Sequence, residues 1–225
     1  QIAIGYFKNF GKANDYETNI EGYYKKLQNQ VDYVDGASLL LNELLEADLL
    51  SGIGRAYGME VYVKKNNGKL TGWVSYTLAR SERQVTGIND GNWYPNRFDR
   101  KHNLYIVSQY QLNQKWEFAA NFVFSTGTPA TFYTGQYSVQ GYVVPDAGSN
   151  ARNNVRNPTY HRLDLSATYT RKKTKEFESY WVFSCYNAYN RRNPFSIYFS
   201  TNYKDLGQNA AIRYSVIGSI IPAVS

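Results

Sequence analysis

One cysteine and two histidines are all that 225 residues contain of thiol and imidazole side chains. The single thiol, Cys185, excludes an intramolecular disulfide and any cysteine-based zinc site, and reads as a small apolar residue in a strand. His102 and His161 lie far apart among scattered carboxylates and match no metal-ligand spacing, so no cofactor is expected. No run of eighteen apolar residues occurs, and the mean hydropathy is −0.55. This excludes a transmembrane helix but not a transmembrane barrel, whose alternating strands average to polar. GxGxxG, GxSxG and HExxH are absent; the nearest approach to the first, Gly52 to Gly58, precedes a strand and not a helix. Gln1 runs directly into the strand-like Ile2 to Phe7, without a signal peptide, so the expectation is a processed start or missing upstream sequence.

Aromatic residues are what the chain has in plenty: 22 Tyr, 11 Phe and 4 Trp make up 16% of it. These residues favour strands and suit a membrane interface. The formal charge of +7 gathers at Lys64, Lys65, Lys69, Lys115, Arg171, Lys172, Lys173 and Lys175, beside short turns. Solvated turns explain it better than a phosphate-binding patch, and no nucleic acid partner is expected.

Period-two alternation and turn signals predict nine strands, near residues 2–8, 16–33, 55–65, 69–83, 99–112, 116–127, 161–171, 178–191 and 211–221. In the sixth, Trp116, Phe118, Ala120, Phe122 and Phe124 share one face while Glu117, Ala119, Asn121, Val123 and Ser125 share the other. In the seventh, Leu163, Leu165, Ala167 and Tyr169 oppose Arg162, Asp164, Ser166, Thr168 and Thr170. Connections alternate strictly between short turns (9–15, 66–68, 113–115, 172–177) and long aromatic-rich loops (34–54, 84–98, 128–160, 192–210). Tight turns at one rim and large loops at the other are the plan of an outer-membrane β-barrel, with the turns periplasmic and the loops outside. Tyr110, Trp116, Tyr169 and Trp181 are expected to form one interfacial girdle, and Tyr76, Tyr160, Tyr186 and Tyr189 the other. Ala37 to Leu50, seven leucines interrupted by Glu43, Glu46 and Asp48, reads as a structured loop, either a short helix or an extension of a strand pair. Nine is an odd count, and an open sheet in lipid would leave two unpaired edges, so a fragment is expected.

Catalytic patterns are thin. Asp99 and Arg100 near His102, and Arg162 and Asp164 beside His161, could serve a Ser-His-Asp hydrolase with Ser108 or Ser166 as nucleophile, or could form a rim network that locks neighbouring strands. Binding suits the composition better. Aromatic faces and directional polar groups in the long loops fit sugars or peptides, and the candidate ligand-binding residues are Trp93, Tyr94, Arg97, Tyr133, Tyr137 and Tyr142.

Four stretches, Leu39 to Arg83, Ile88 to Leu104, Asn157 to Lys173 and Ser179 to Phe199, together resemble the C-terminal barrel region of Bacteroidetes-type TonB-dependent outer-membrane transporters. The resemblance implies an all-β, antiparallel up-and-down transmembrane barrel of about twenty-two strands, of which residues 1–225 would be the C-terminal part. It implies a plug domain and N-terminal strands outside this sequence, and import of a nutrient (glycan, peptide or metal chelate) across the bacterial outer membrane. The partners implied are the TonB complex acting through the plug, a surface lipoprotein lid, outer-membrane lipid and the nutrient itself. The ending Ile220 to Ser225 departs from the aromatic-terminated ending of that family. An outer-membrane lipid or ester hydrolase and a soluble β-sandwich adhesin are the alternatives.

Overall fold

The computed structural model describes residues 1–12, 14–37, 45–132, 135–139, 142–146, 152–174, 177–201 and 209–225, with backbone alone at 136–139, 142–146, 173, 198–201 and 209–211. Nine strands follow one another in a single antiparallel sheet: β1 (Ile2–Phe10), β2 (Tyr16–Tyr33), β3 (Leu49–Lys65), β4 (Leu70–Val85), β6 (His102–Gln111), β7 (Trp116–Ser125), β12 (Tyr160–Lys173), β13 (Glu178–Tyr186) and β16 (Ile221–Val224). A two-residue strand, β5 (Tyr94–Pro95), pairs with the upper part of β4. Each of these nine strands pairs with the next along the sheet, and the sheet is open at β1 and β16. The remaining strands belong to the long connections: β8 (Pro129–Ala130) with β11 (Val155–Arg156), β9 (Gly135–Val139) with β10 (Tyr142–Asp146), and β14 (Ser196–Thr201) with β15 (Asn209–Tyr214). Among the described residues no helix is long and apolar enough to cross a membrane, which says nothing of strands.

Local chemistry sets the short turns. Asn113 Oδ1 accepts from the backbone N–H of Lys115 at 2.8 Å and of Trp116 at 3.0 Å, an Asx turn that reverses β6 into β7. Gly68, at φ 100°, supplies the left-handed residue between β3 and β4. Gly72 has φ 143°, and a Cβ there would run into the Val107 carbonyl of the next strand, so this close approach in the sheet interior requires glycine.

Pairing register turns the alternation of single strands into two continuous faces. Val63, Val74, Ile106, Phe122 and Leu163 lie side by side across five strands, and the next row on that face is Val61, Tyr76, Leu104, Phe124 and His161. Rows on the opposite face read Glu60, Thr77, Asn103, Ser125, Tyr160 and Lys64, Trp73, Val107, Asn121, Asp164. Among the described residues no second layer covers the apolar face: Ile4, Met59, Leu70, Val74, Leu165, Trp181 and Phe183 are all exposed. Among the described residues the fully buried apolar side chains are Val85, Ile88 and Tyr94, packed with Leu50 at the long-loop rim. A sandwich would bury its apolar face against another sheet; here the described core is a small knot at one end.

Three expectations change in detail. Residues 211–221 do not form one strand of the main sheet: Asn209–Tyr214 turns back on Ser196–Thr201 within the loop, and the ninth strand of the sheet is the shorter Ile221–Val224, paired with β13. Of the leucine-rich loop, residues 38–44 lie outside the described ones, while Leu49 to Gly54 continues β3 against the end of β2, across a bulge between Leu27 and Gln30. Of the aromatics expected at the turn rim, Trp116, Tyr169 and Trp181 adjoin on the apolar face, with the Trp116 and Tyr169 rings 4.9 Å apart and Tyr169 paired with Trp181. At the other rim Tyr76 and Tyr189 hydrogen-bond His102 and His161, but Tyr160 and Tyr186 turn to the polar face and meet Arg162.

Candidate functional site

The long loops converge on a cleft of about 930 Å³ at their rim. Its walls come from four connections: residues 32–37, 94–100, the pair 128–131 with 152–157, and 195–197. The segment from Arg152 to Asn157 staples the first three together. Arg152 donates to Asp32 Oδ1 at 3.1 Å, to Asp35 Oδ1 at 2.6 Å and to the Tyr33 carbonyl at 2.8 Å. Asn153 donates to the Pro95 carbonyl at 2.7 Å, and Asn157 to Thr128 Oγ1 at 3.1 Å. Arg156 pairs with the buried Asp99 and reaches the carbonyls of Asp99 and Gly127.

Asp99 organises the turn that carries Arg97. Its carboxylate accepts from the Ser81 N–H at 2.6 Å while pairing with Arg156, and its own N–H donates to the Asn96 carbonyl at 2.9 Å. Asn96 in turn donates its N–H to the Ser81 carbonyl at 2.8 Å and accepts from the Phe98 N–H at 3.3 Å. With Asp99 drawn inward, the turn presents Arg97 and Phe98 outward, both exposed. Phe98, at 79% exposure, is held out to water by these four hydrogen bonds of the turn.

The expected ligand residues divide. Arg97 lines the cleft. Tyr94 lines it as well but is only 1% exposed; its hydroxyl donates to Asp32 Oδ2 at 2.9 Å, so the ring is a packing anchor and has no free face for stacking. Burial, and then the bond to Asp32, raise the Tyr94 pKa far above its ordinary 10.0, keeping the phenol a donor at all physiological pH. Since the folded value lies above the unfolded one, this contribution to stability is complete below pH 10 and lost only above it. Trp93 lies on the other side of the sheet, over the Arg55 guanidinium at 4.1 Å, where Arg55 and Arg80 both pair with the buried Glu82. Tyr133 lies outside the described residues. Tyr137 and Tyr142 belong to the β9–β10 hairpin, opposite Val144 and Val139.

Neither hydrolase arrangement assembles. Ser166 and His161 are on opposite faces, and Ser108 shares a face with His102 but is six residues away along β6, about 20 Å. The accompanying carboxylates are engaged in strand-locking bonds: Asp164 pairs with Arg162 and accepts from the Asn187 N–H at 2.9 Å. This is the rim network weighed against catalysis. Among the described residues no group of three or more His, Cys, Asp and Glu converges on a point.

Comparison with family models, with curated proteins and with solved structures found no match. Function therefore rests on the sheet and the cleft. Reading the sequence missed Asp32, Asp35, Arg152, Phe98 and Phe195 as cleft residues. The signal for the staple was present in the run from Arg152 to Asn157, where arginines and asparagines crowd a loop with little apolar content. For Phe98 and Phe195 there was none, because burial of one aromatic and exposure of its neighbour is decided by the turn between them.

Proposed function

We propose that this chain is part of the wall of an outer-membrane β-barrel, the C-terminal region of a TonB-dependent receptor that imports a nutrient, with its long loops forming a capture cleft on the cell surface. The observation that carries the reading is the uncovered apolar face running across nine strands, backed by a polar face. In water such a surface is far larger than a soluble monomer tolerates. In lipid it is what a barrel exterior requires, and the polar face then lines the interior.

Dimensions agree. On β3 the apolar face holds Tyr57, Met59, Val61 and Val63, closed off by Arg55 at the loop end and Lys65 at the turn end. That interval is about 33 Å along the strand, and a tilt of ~40° reduces it to about 25 Å, the height of a barrel's lipid-facing band. The open edges at β1 and β16 would pair with the rest of the barrel, since unsatisfied backbone groups are not sustained in lipid. In this reading wall and loops position the nutrient, while the TonB complex acts through a plug, and a surface lipoprotein is a natural companion of the loop rim.

Extraction tests it. The intact protein is expected to stay with membranes through salt and carbonate washes, to partition into detergent, and to migrate faster on gels unheated than boiled. Release into the aqueous phase without detergent would sink the barrel reading and return the soluble adhesin.

A further inference from the structure

We propose that the loop-rim cleft is an anion site, in which Arg97 and Arg100 pair with carboxylate or phosphate groups of a ligand whose rings lie against Phe98 and Phe195. This rests on the reading that the long loops capture the nutrient, and adds the class of nutrient.

Charge bookkeeping in the cleft is the first support. Among the described residues four arginines line it (Arg83, Arg97, Arg100 and Arg152) against two carboxylates, Asp32 and Asp35. Both carboxylates are already answered: Arg152 spans them, and Arg83 stands 3.9 Å from Asp32. Among the described residues Arg97 makes no hydrogen bond or ion pair, and the Arg100 guanidinium has only a 3.5 Å contact with Ser125 Oγ. The buried Nε–H of Arg83 also lacks an acceptor. Among the described residues a cation entering here would find no free carboxylate and two uncompensated guanidiniums, whereas a guanidinium fork matches carboxylate and phosphate oxygens in pairs.

Pre-organisation is the second. The turn from Asn96 to Asp99 is fixed on Ser81 and Arg156, so Arg97 and Phe98 are presented without a large ordering cost on binding. Phe195 faces the same cleft from the β13–β16 connection at 74% exposure, its N–H tied to the Tyr214 carbonyl at 2.7 Å. Exposed rings beside unpaired arginines suit a ligand with both flat faces and negative charge, and the cleft volume accommodates a short oligomer of rings.

The test uses the intact protein in detergent and three probes: trigalacturonate, with rings and carboxylates; maltotriose, with rings and no charge; and tripolyphosphate, with charge and no rings. Trigalacturonate is expected to bind, less tightly as salt rises, and at least about tenfold more weakly to the double variant Arg97→Gln, Arg100→Gln. Because both side chains are exposed, that variant should keep its unheated gel mobility. Phe98→Ala with Phe195→Ala should weaken trigalacturonate and leave tripolyphosphate unchanged. Equal binding by the double arginine variant, maltotriose binding as tightly as trigalacturonate, or no binding of either acid would overturn the proposal. Each outcome is read from binding alone, so it stands apart from the extraction test of the barrel.

Discussion

Ala120→Arg is expected to destabilise the membrane-inserted protein by about 2–4 kcal/mol, the cost of a cation near the middle of a lipid-facing band. Ala119→Arg is expected to change stability by no more than about 0.5 kcal/mol, as for an unconstrained surface site. The two alanines are neighbours on β7 and differ only in face. Ala120 pairs with Ser108 and Leu165 in the apolar rows, and Ala119 with Gln109 and Ser166 on the polar side. Size, strand position and helix or strand propensity are therefore held constant. Urea unfolding of the reconstituted protein, followed by gel mobility, reads the difference; equal costs for the two substitutions would remove the asymmetry on which the wall reading depends.

Tyr94→Ala should cost about 3–5 kcal/mol of local stability, because it empties the centre of a small buried cluster that the surroundings cannot refill. Val85 and Ile88 lose their main partner, and Asp32 loses the phenol donor. Tyr94→Phe keeps the ring and should cost about 1–2 kcal/mol, the worth of a hydrogen bond to a carboxylate that Arg152 still neutralises. Limited proteolysis is the measure: the alanine variant should be cut in the 86–101 connection while the wall stays intact, and the phenylalanine variant should resist. If Tyr94 were instead a stacking residue for ligand, its alanine variant would lose binding with no change in protease resistance.

Much of the sheet was legible because its causes are local. Alternation in β7 and β12 announces which side chains share a face, and Asn113 or Gly68 announces a reversal without reference to the rest of the molecule. Register carried this further, aligning the faces of separate strands into two surfaces. The ninth strand was misplaced because residues 209–214 have the same alternating composition as a wall strand, and only the competing partner, Ser196–Thr201, draws them into a loop hairpin. The cleft was barely legible, because its geometry comes from contacts between loops distant in sequence. Arg152 meets Asp32 across 120 residues, and no local pattern encodes such a pairing. Tyr94 and Arg97 illustrate the limit: both were marked as loop residues of the right chemistry, yet one is the floor of the structure and the other faces the opening.

The central claim, that the apolar face meets lipid and the polar face meets water, is tested most directly by single cysteines at positions 119 and 120 in a background cleared of native thiols, Cys185 being the one thiol within these 225 residues. In intact membranes a water-soluble maleimide should label Ala119→Cys and spare Ala120→Cys, while a fluorophore on Ala120→Cys, attached after solubilisation and then reconstituted, should be quenched by brominated acyl chains. Labelling of both positions by the water-soluble reagent, with no quenching at 120, would contradict the account.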